Sequence, residues 1–248
     1  GLGNTLGPMK VSLVTVLMNI VLDPLFIFGV GPLPAMGVAG AAATTLFCHF
    51  TASLVGVRRL FKGGGEFSLS CESLRPHRET LKKIFAIGLP ISFSQAGTSL
   101  GFTVMMGIVN SFGSAATAAL GVGNRIIHLA MAPSIGLSQA NAAAVGQCLG
   151  AGKTGRAQRS TINALLMVGI ILLPVTVPMF FFGDTIARIF VNDGAVMDIS
   201  RTMFRITTPS VFAFGFVTVL FGGFQGSGFT LPVMVLNIAR LWVLRLPL

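Results

Sequence analysis

Val11-Ser12-Leu13-Val14-Thr15-Val16-Leu17-Met18-Asn19-Ile20-Val21-Leu22-Asp23-Pro24-Leu25-Phe26-Ile27-Phe28-Gly29-Val30 is an apolar run with one charged residue, Asp23. About 20 mostly apolar residues make a helix long enough to cross a ~30 Å hydrocarbon core. Only a bilayer tolerates so much apolar surface, because a helix satisfies its backbone polar groups internally. The run therefore predicts a membrane span. Its carboxylate costs about 2.5–3.5 kcal/mol to place at that depth, and such groups tend to mark ion or proton pathways.

The rest of the chain repeats the pattern. Of its 248 residues, 53% are hydrophobic and only 10% charged, and mean hydropathy is +0.84. A soluble domain carries about 25% charged residues. Disordered chains and disulfide-rich secreted modules are excluded by the same figures. Six complete spans and one truncated span are predicted, over Val11–Val30, Gly37–Val57, Ile84–Phe112, Ala116–Gln147, Ile162–Phe182, Ile206–Phe224 and Leu231–Leu248. Pro24, Pro90, Pro133, Pro174, Pro178 and Pro209 lie in or at the ends of these runs, where proline kinks or starts helices. With no initiator Met and no signal segment, the chain reads as an internal piece of a longer membrane protein.

Net charge is +10, but most Lys and Arg residues fall in short connections rather than in a basic stripe with interleaved aromatics, so a nucleic-acid partner is not expected. The Arg58–Lys83 connection holds seven basic residues against Glu66, Glu72 and Glu79, and the next connection on that side holds Lys153, Arg156 and Arg159 without an acid. The connections between them, Gly29–Met36 and Gly113–Ala115, are uncharged, and Gly183–Arg205 balances three Arg with three Asp. The positive-inside rule then predicts that 58–83 and 148–160 lie in the cytoplasm, and a multi-pass protein of the plasma membrane is expected. Gly63-Gly64-Gly65 and Pro76 mark 58–83 as a linker, so residues 1–57 close one helical lobe and 84–248 form another. Arg78–Phe85 has the composition of an amphipathic helix lying along the lipid headgroups. Similar blocks at Gly1-Leu2-Gly3-Asn4-Thr5 and Gly226-Ser227-Gly228-Phe229-Thr230, six spans apart, suggest a parallel internal repeat.

Asp23 is the one acid inside an apolar run; the other six fall in connections. Asn19 lies four residues earlier, on the same helix face. Pro24 follows and is expected to open the backbone, freeing carbonyls as oxygen ligands. A carboxyl group so placed can take H⁺ or Na⁺ from one side and release it to the other. The competing reading is that Asp23 caps a helix broken at Pro24.

Arg125, beside Asn124 and one turn before His128, either lines an aqueous cavity, with Gln95 and Asn124 as further candidate lining residues, or snorkels and pairs within the bundle. Gln95, Asn110, Gln139, Asn141, Asn163 and Asn237 are candidate interhelical hydrogen-bond partners, and Gly37–Thr45 and Ser138–Gly146 present small residues for close helix contact. Cys48, Cys71 and Cys148 are odd in number and widely spaced, and His49, His77 and His128 do not cluster, so no structural metal or resident cofactor is expected. Gly146-Gln147-Cys148-Leu149-Gly150-Ala151-Gly152-Lys153-Thr154 imitates a phosphate-binding loop, but Gln147 stands where the pattern needs glycine and an apolar helix precedes it instead of a strand. No nucleophile triad, HExxH motif or pair of intramembrane acids is present, so an enzyme is not expected.

Asn19–Gly29 followed by Gly37-Val38-Ala39-Gly40-Ala41-Ala42-Ala43-Thr44 resembles the multidrug and toxic compound extrusion (MATE) family. Gly146-Gln147, Gly150-Ala151-Gly152 and Arg156-Ala157 resemble its loop after the eighth helix, and Gly226-Ser227-Gly228 with Thr230-Leu231-Pro232 its turn before the eleventh. The resemblance implies an all-α, polytopic fold of two six-helix lobes, of which this chain covers the fifth to part of the eleventh helix. It implies an H⁺- or Na⁺-coupled antiporter, monomeric when full length, that exports amphipathic and often cationic compounds by alternating access. In the DinF-like and archaeal branch, the family's cation site matches Asn19, Asp23 and Thr44, completed by an Asp on a first helix. The competitors are a lipid-precursor flippase of the same superfamily and a membrane scaffold that does not transport.

Overall fold

The computed structural model describes residues 6–29, 35–61, 77–183, 185 and 194–245, all helix or short connection, with no strand among them. The helices are α1 (Leu6–Phe28), α2 (Val38–Phe61), α3 (Arg78–Asn110), α4 (Ser114–Gly150), α5 (Thr154–Phe181), α6 (Gly194–Gly226) and α7 (Thr230–Ala239), the last continuing as a π-helical segment, Arg240–Arg245. Among the described residues each predicted span is helical but for a residue or two at its ends, and several helices run beyond the predicted bounds. Four of them, α1, α2, α5 and α6, are long and apolar enough to cross a membrane. Most of the 58–83 linker, the acids Glu66, Glu72, Asp184 and Asp193, Cys71, and the repeat block Gly1–Thr5 lie outside the described residues.

The predicted helix break at Pro24 does not occur, because α1 runs through Pro24 to Phe28. Proline removes one amide donor, which leaves the carbonyl four residues back without its usual partner. The ladder resumes at once, with Gly29 N–H donating to the Leu25 carbonyl at 3.1 Å. Pro90, Pro133, Pro174, Pro178 and Pro209 likewise lie inside helices. Nor is Arg78–Phe85 a separate surface helix. It forms the first turns of α3, since no breaker separates it from the span that follows.

The imitation phosphate loop is a helix-to-helix turn. Gly152 adopts φ 71°, Gly152 N–H donates to Leu149 O at 3.0 Å and Lys153 N–H to Cys148 O at 2.8 Å. That pair of bonds is the Schellman arrangement, which needs a left-handed residue just past the helix end. Gly228, at φ 83°, closes α6 in the same way, with Gly228 N–H on Gln225 O at 3.1 Å and Phe229 N–H on Phe224 O at 3.0 Å.

The chain divides into two compact units, Gly1–Thr80 and Leu81–Leu248. In the second, α4, α5 and α6 pack around two apolar clusters: Ile126, Ala130, Met179 and Phe204, and Ala164, Val168, Leu172 and Val219. The small-residue face of α4 meets glycines of α6. A Cβ on Gly222 would stand 2.3 Å from the Ser138 carbonyl oxygen, and one on Gly226 2.3 Å from that of Ala142. This close approach lets Ser138 Oγ donate to Thr218 O at 2.7 Å and Asn141 Nδ2 to Val219 O at 3.3 Å. Asn141 Oδ1 also accepts from Ser160 and Thr161 of α5, both at 3.4 Å. Against α3, Asn237 of α7 donates to Ser94 Oγ at 3.2 Å, and Trp242 Nε1 to Gly97 O at 3.1 Å. Of the predicted interhelical partners, Asn141 and Asn237 bridge helices, and Asn110 accepts from Thr117 across the α3–α4 turn at 3.2 Å. Gln95, Gln139 and Asn163 are exposed.

Candidate cation site on the first helical pair

In the first unit α1 and α2 lie side by side and antiparallel. Near the connection, Met36 N–H donates to Phe26 O at 3.1 Å and Gly37 N–H to Ile27 O at 3.2 Å. At the far end, Arg59 Nη1 reaches Gly7 O at 3.5 Å. Gly37, at φ 54°, makes the reversal into α2. Gly40 then lets the helices touch, since a Cβ there would stand 2.5 Å from the Phe26 carbonyl oxygen.

One turn beyond Gly40, the buried Thr44 hydroxyl donates to Asp23 Oδ1. The same hydroxyl lies 3.0 Å from the Ala41 carbonyl of its own helix. It has a single proton, for which these two acceptors compete. With its amide turned nitrogen-first, Asn19 donates to Asp23 Oδ2 at 2.6 Å and Oδ1 at 3.0 Å. Turned oxygen-first, it would set acceptor against acceptor, an arrangement that holds only with a proton or cation between them. Asn19 and Asp23 are both half-buried.

This geometry disposes of the capping reading. Asp23 sits in the body of α1, with the helix continuing past it, and its side chain bonds other side chains instead of free backbone amides. Two neutral donors, the Thr44 hydroxyl and the Asn19 amide, converge on this carboxylate. Among the described residues no three His, Cys, Asp or Glu side chains gather at metal-binding distance. Any ion here would rely on amide, hydroxyl and carboxylate oxygens, the donor set suited to hard cations.

The other sequence candidates belong to the second unit. Gln95, on α3, is exposed; on α4, Asn124 is half-buried and Arg125 and His128 are exposed. Sequence reading passed over Arg240, which stacks its guanidinium 3.9 Å from the centre of the Phe214 ring. A charge count along Leu231–Leu248 would have found it.

The MatE family model matches residues 90–248. Over 247 residues the chain is 29% identical to a probable multidrug resistance protein NorM of Thermotoga maritima, covering 100% of this chain and 53% of that protein. It is 27% identical to an FAD transporter of Shewanella oneidensis, covering 99% and 54% respectively. Among solved structures it resembles an outward-facing multidrug resistance MATE family transporter of the MOP superfamily, with TM-score 0.86 at 26% identity, over 95% of this chain and 52% of that one. A MOP superfamily transporter from Pyrococcus furiosus, described by the reverse polarity of its binding pocket, matches with the same TM-score of 0.86, identity of 26%, and shares of 95% and 52%. The chain spans about half the length of the curated relatives it matches. With its described residues helical, four of its helices long and apolar enough to cross a membrane, and the family model matching residues 90–248, the chain belongs to the MatE family.

Proposed function

We propose that this chain forms part of a cation-coupled antiporter that exports amphipathic organic compounds across the plasma membrane, with Asp23 as the coupling group. The observation that supports this reading is the Asn19–Asp23–Thr44 contact across α1 and α2. H⁺ or Na⁺ arriving at Asp23 cancels its charge, releases the Thr44 hydroxyl to Ala41, and turns the Asn19 amide oxygen-first. Those changes alter how α1 packs on α2, and alternating access requires an element with two arrangements biased by the ion. In this reading 58–83 and 148–160 face the cytoplasm.

The test is Asp23→Asn in the full-length protein. The expected result is loss of ion-gradient-driven dye efflux with membrane insertion unchanged. Normal efflux that still collapses with the gradient would overturn the role of Asp23.

A further inference from the structure

The outer face of α5 changes chemistry in a fixed order along its length. Ala157, Ala164, Val168 and Leu172 are buried against the bundle. On the opposite side of the helix Arg156 and Arg159 are exposed, and so is Asn163 one turn later. Ile162, Leu166, Ile170 and Leu173 continue that face, each at least half exposed. Spacings of three and four residues keep them on one stripe. Lys153, at the head of the helix, is exposed as well.

Distances along the axis match one leaflet. Ile162 to Leu173 is about 16 Å at 1.5 Å per residue, and half of a ~30 Å hydrocarbon core is about 15 Å. Arg159 lies about 4.5 Å before Ile162 and Arg156 about 9 Å before it, which brackets a headgroup layer about 5–7 Å deep. Asn163, beside Ile162, falls at the boundary. A phospholipid presents phosphate, ester carbonyls and acyl chain in that same order.

Charge at this end of α5 is one-sided. Among the described residues none of the three cationic side chains is paired with an acid. The acids of residues 81–248, Asp184, Asp193 and Asp198, all fall between the Phe181 end of α5 and the apolar stretch that begins at Ser200. That connection joins the far ends of two antiparallel helices, since a Cβ on Gly183 would meet Phe204 and one on Gly223 would meet Thr161. α5 alone is about 40 Å long. The 58–83 stretch holds Glu66, Glu72 and Glu79 against seven basic residues of its own, so it supplies no net negative charge to this turn.

We propose that this face of α5 binds an anionic phospholipid. Its phosphate sits on Arg156, Arg159 and Lys153, its esters at Asn163, and one acyl chain along Ile162–Leu173. Guanidinium groups take phosphate in a bidentate fork, and each Lys or Arg near an anionic membrane surface adds about fivefold in affinity. A second copy of the chain or another helix of the full-length protein would suit the apolar stripe, but neither calls for cations at phosphate height. The site needs neither turnover nor Asp23, so it stands apart from the antiport reading.

The test uses the full-length protein in vesicles of phosphatidylcholine with a minor share of phosphatidylglycerol. A photo-crosslinking amino acid replaces Leu166, and mass spectrometry identifies what it captures. Phosphatidylglycerol is expected at least fivefold above its share of the bilayer. Arg156→Gln/Arg159→Gln should return capture to that share, and Arg156→Lys/Arg159→Lys should keep most of the enrichment. The same crosslinker at Phe181, exposed at the far end of α5, should capture both lipids in proportion. Proportional capture at Leu166 in the otherwise wild-type protein overturns the proposal without recourse to the arginine variants. Equal enrichment at Phe181 overturns it too, as does enrichment that survives in a folded Arg156→Gln/Arg159→Gln protein. Capture of protein in place of lipid at Leu166 gives the stripe to another helix or a second copy. Loss of enrichment when inorganic phosphate replaces chloride at equal ionic strength gives the cations to a soluble oxyanion. Either result refutes a lipid site. Failure of the Asp23 reading leaves all of these outcomes unchanged.

Discussion

Gly40→Ala tests the cation site without touching any of its polar groups. The new methyl carbon would stand 2.5 Å from the Phe26 carbonyl oxygen and 2.8 Å from its carbon. Carbon–oxygen contacts of this kind settle at about 3.3 Å, so the helices must part by about 0.8 Å. The carbonyl has little room to yield, because it accepts from Met36 N–H at 3.1 Å. Overpacking of this sort costs about 1–3 kcal/mol, and the displacement reaches Thr44 one turn further along α2. An O–H···O bond of ordinary length, about 2.7 Å, would stretch to about 3.5 Å and cease to count as one. Hydrogen bonds to charged groups contribute about 1.5–3 kcal/mol. By the proposed mechanism that bond is made only in the ion-free state, so losing about 1.4 kcal/mol of it raises apparent affinity about tenfold, lowering the half-maximal concentration. The assay is the H⁺ or Na⁺ concentration giving half-maximal dye efflux in vesicles of the full-length protein. Gly56→Ala, on the same helix and with nothing within 4 Å of its Cβ, should leave that concentration unchanged. If Gly40→Ala behaves like Gly56→Ala, the close approach of α1 and α2 does not set the site, and the reasoning fails.

Two further outcomes concern the second unit. Gly226→Ala drives a methyl group to within 2.3 Å of the Ala142 carbonyl oxygen, so it should lower the thermal unfolding midpoint in detergent by an amount corresponding to about 2–4 kcal/mol, combining overpacking with weakened interhelical hydrogen bonds. Gly107→Ala, with open space around it, should not. Asn141→Leu deprives the Val219 carbonyl and the Ser160 and Thr161 hydroxyls of a shared partner, at a cost of about 1–3 kcal/mol; a midpoint equal to wild type would show that water or neighbours replace that partner without loss.

Helix positions were legible because a bilayer imposes a length and an apolar composition that survive in one dimension. Asp23 stood out for the same reason: it is one charge in a run that should have none. Asn19 followed from the four-residue period of a helix. Thr44 was reached only through family resemblance, since nothing local ties a threonine of α2 to an acid of α1. The expected break at Pro24 failed because losing one amide donor near the end of a helix leaves enough neighbouring bonds to carry the helix on to Phe28. Arg240 was missed because the last run was read for its apolar length and not for its charge.

What the linear chain decided by itself is therefore the solvent, the spans and the one carboxylate that the solvent penalises, because each depends on composition summed over a helix. What only the folded molecule decided is which polar groups meet. Gly40 brings Thr44 onto Asp23, the Gly222–Gly226 face admits Ser138 and Asn141 to the backbone of α6, and Arg240 finds the ring of Phe214. Those meetings depend on helix separations set to within a few tenths of an ångström, and distance across a helix interface is not written in the order of residues along either helix.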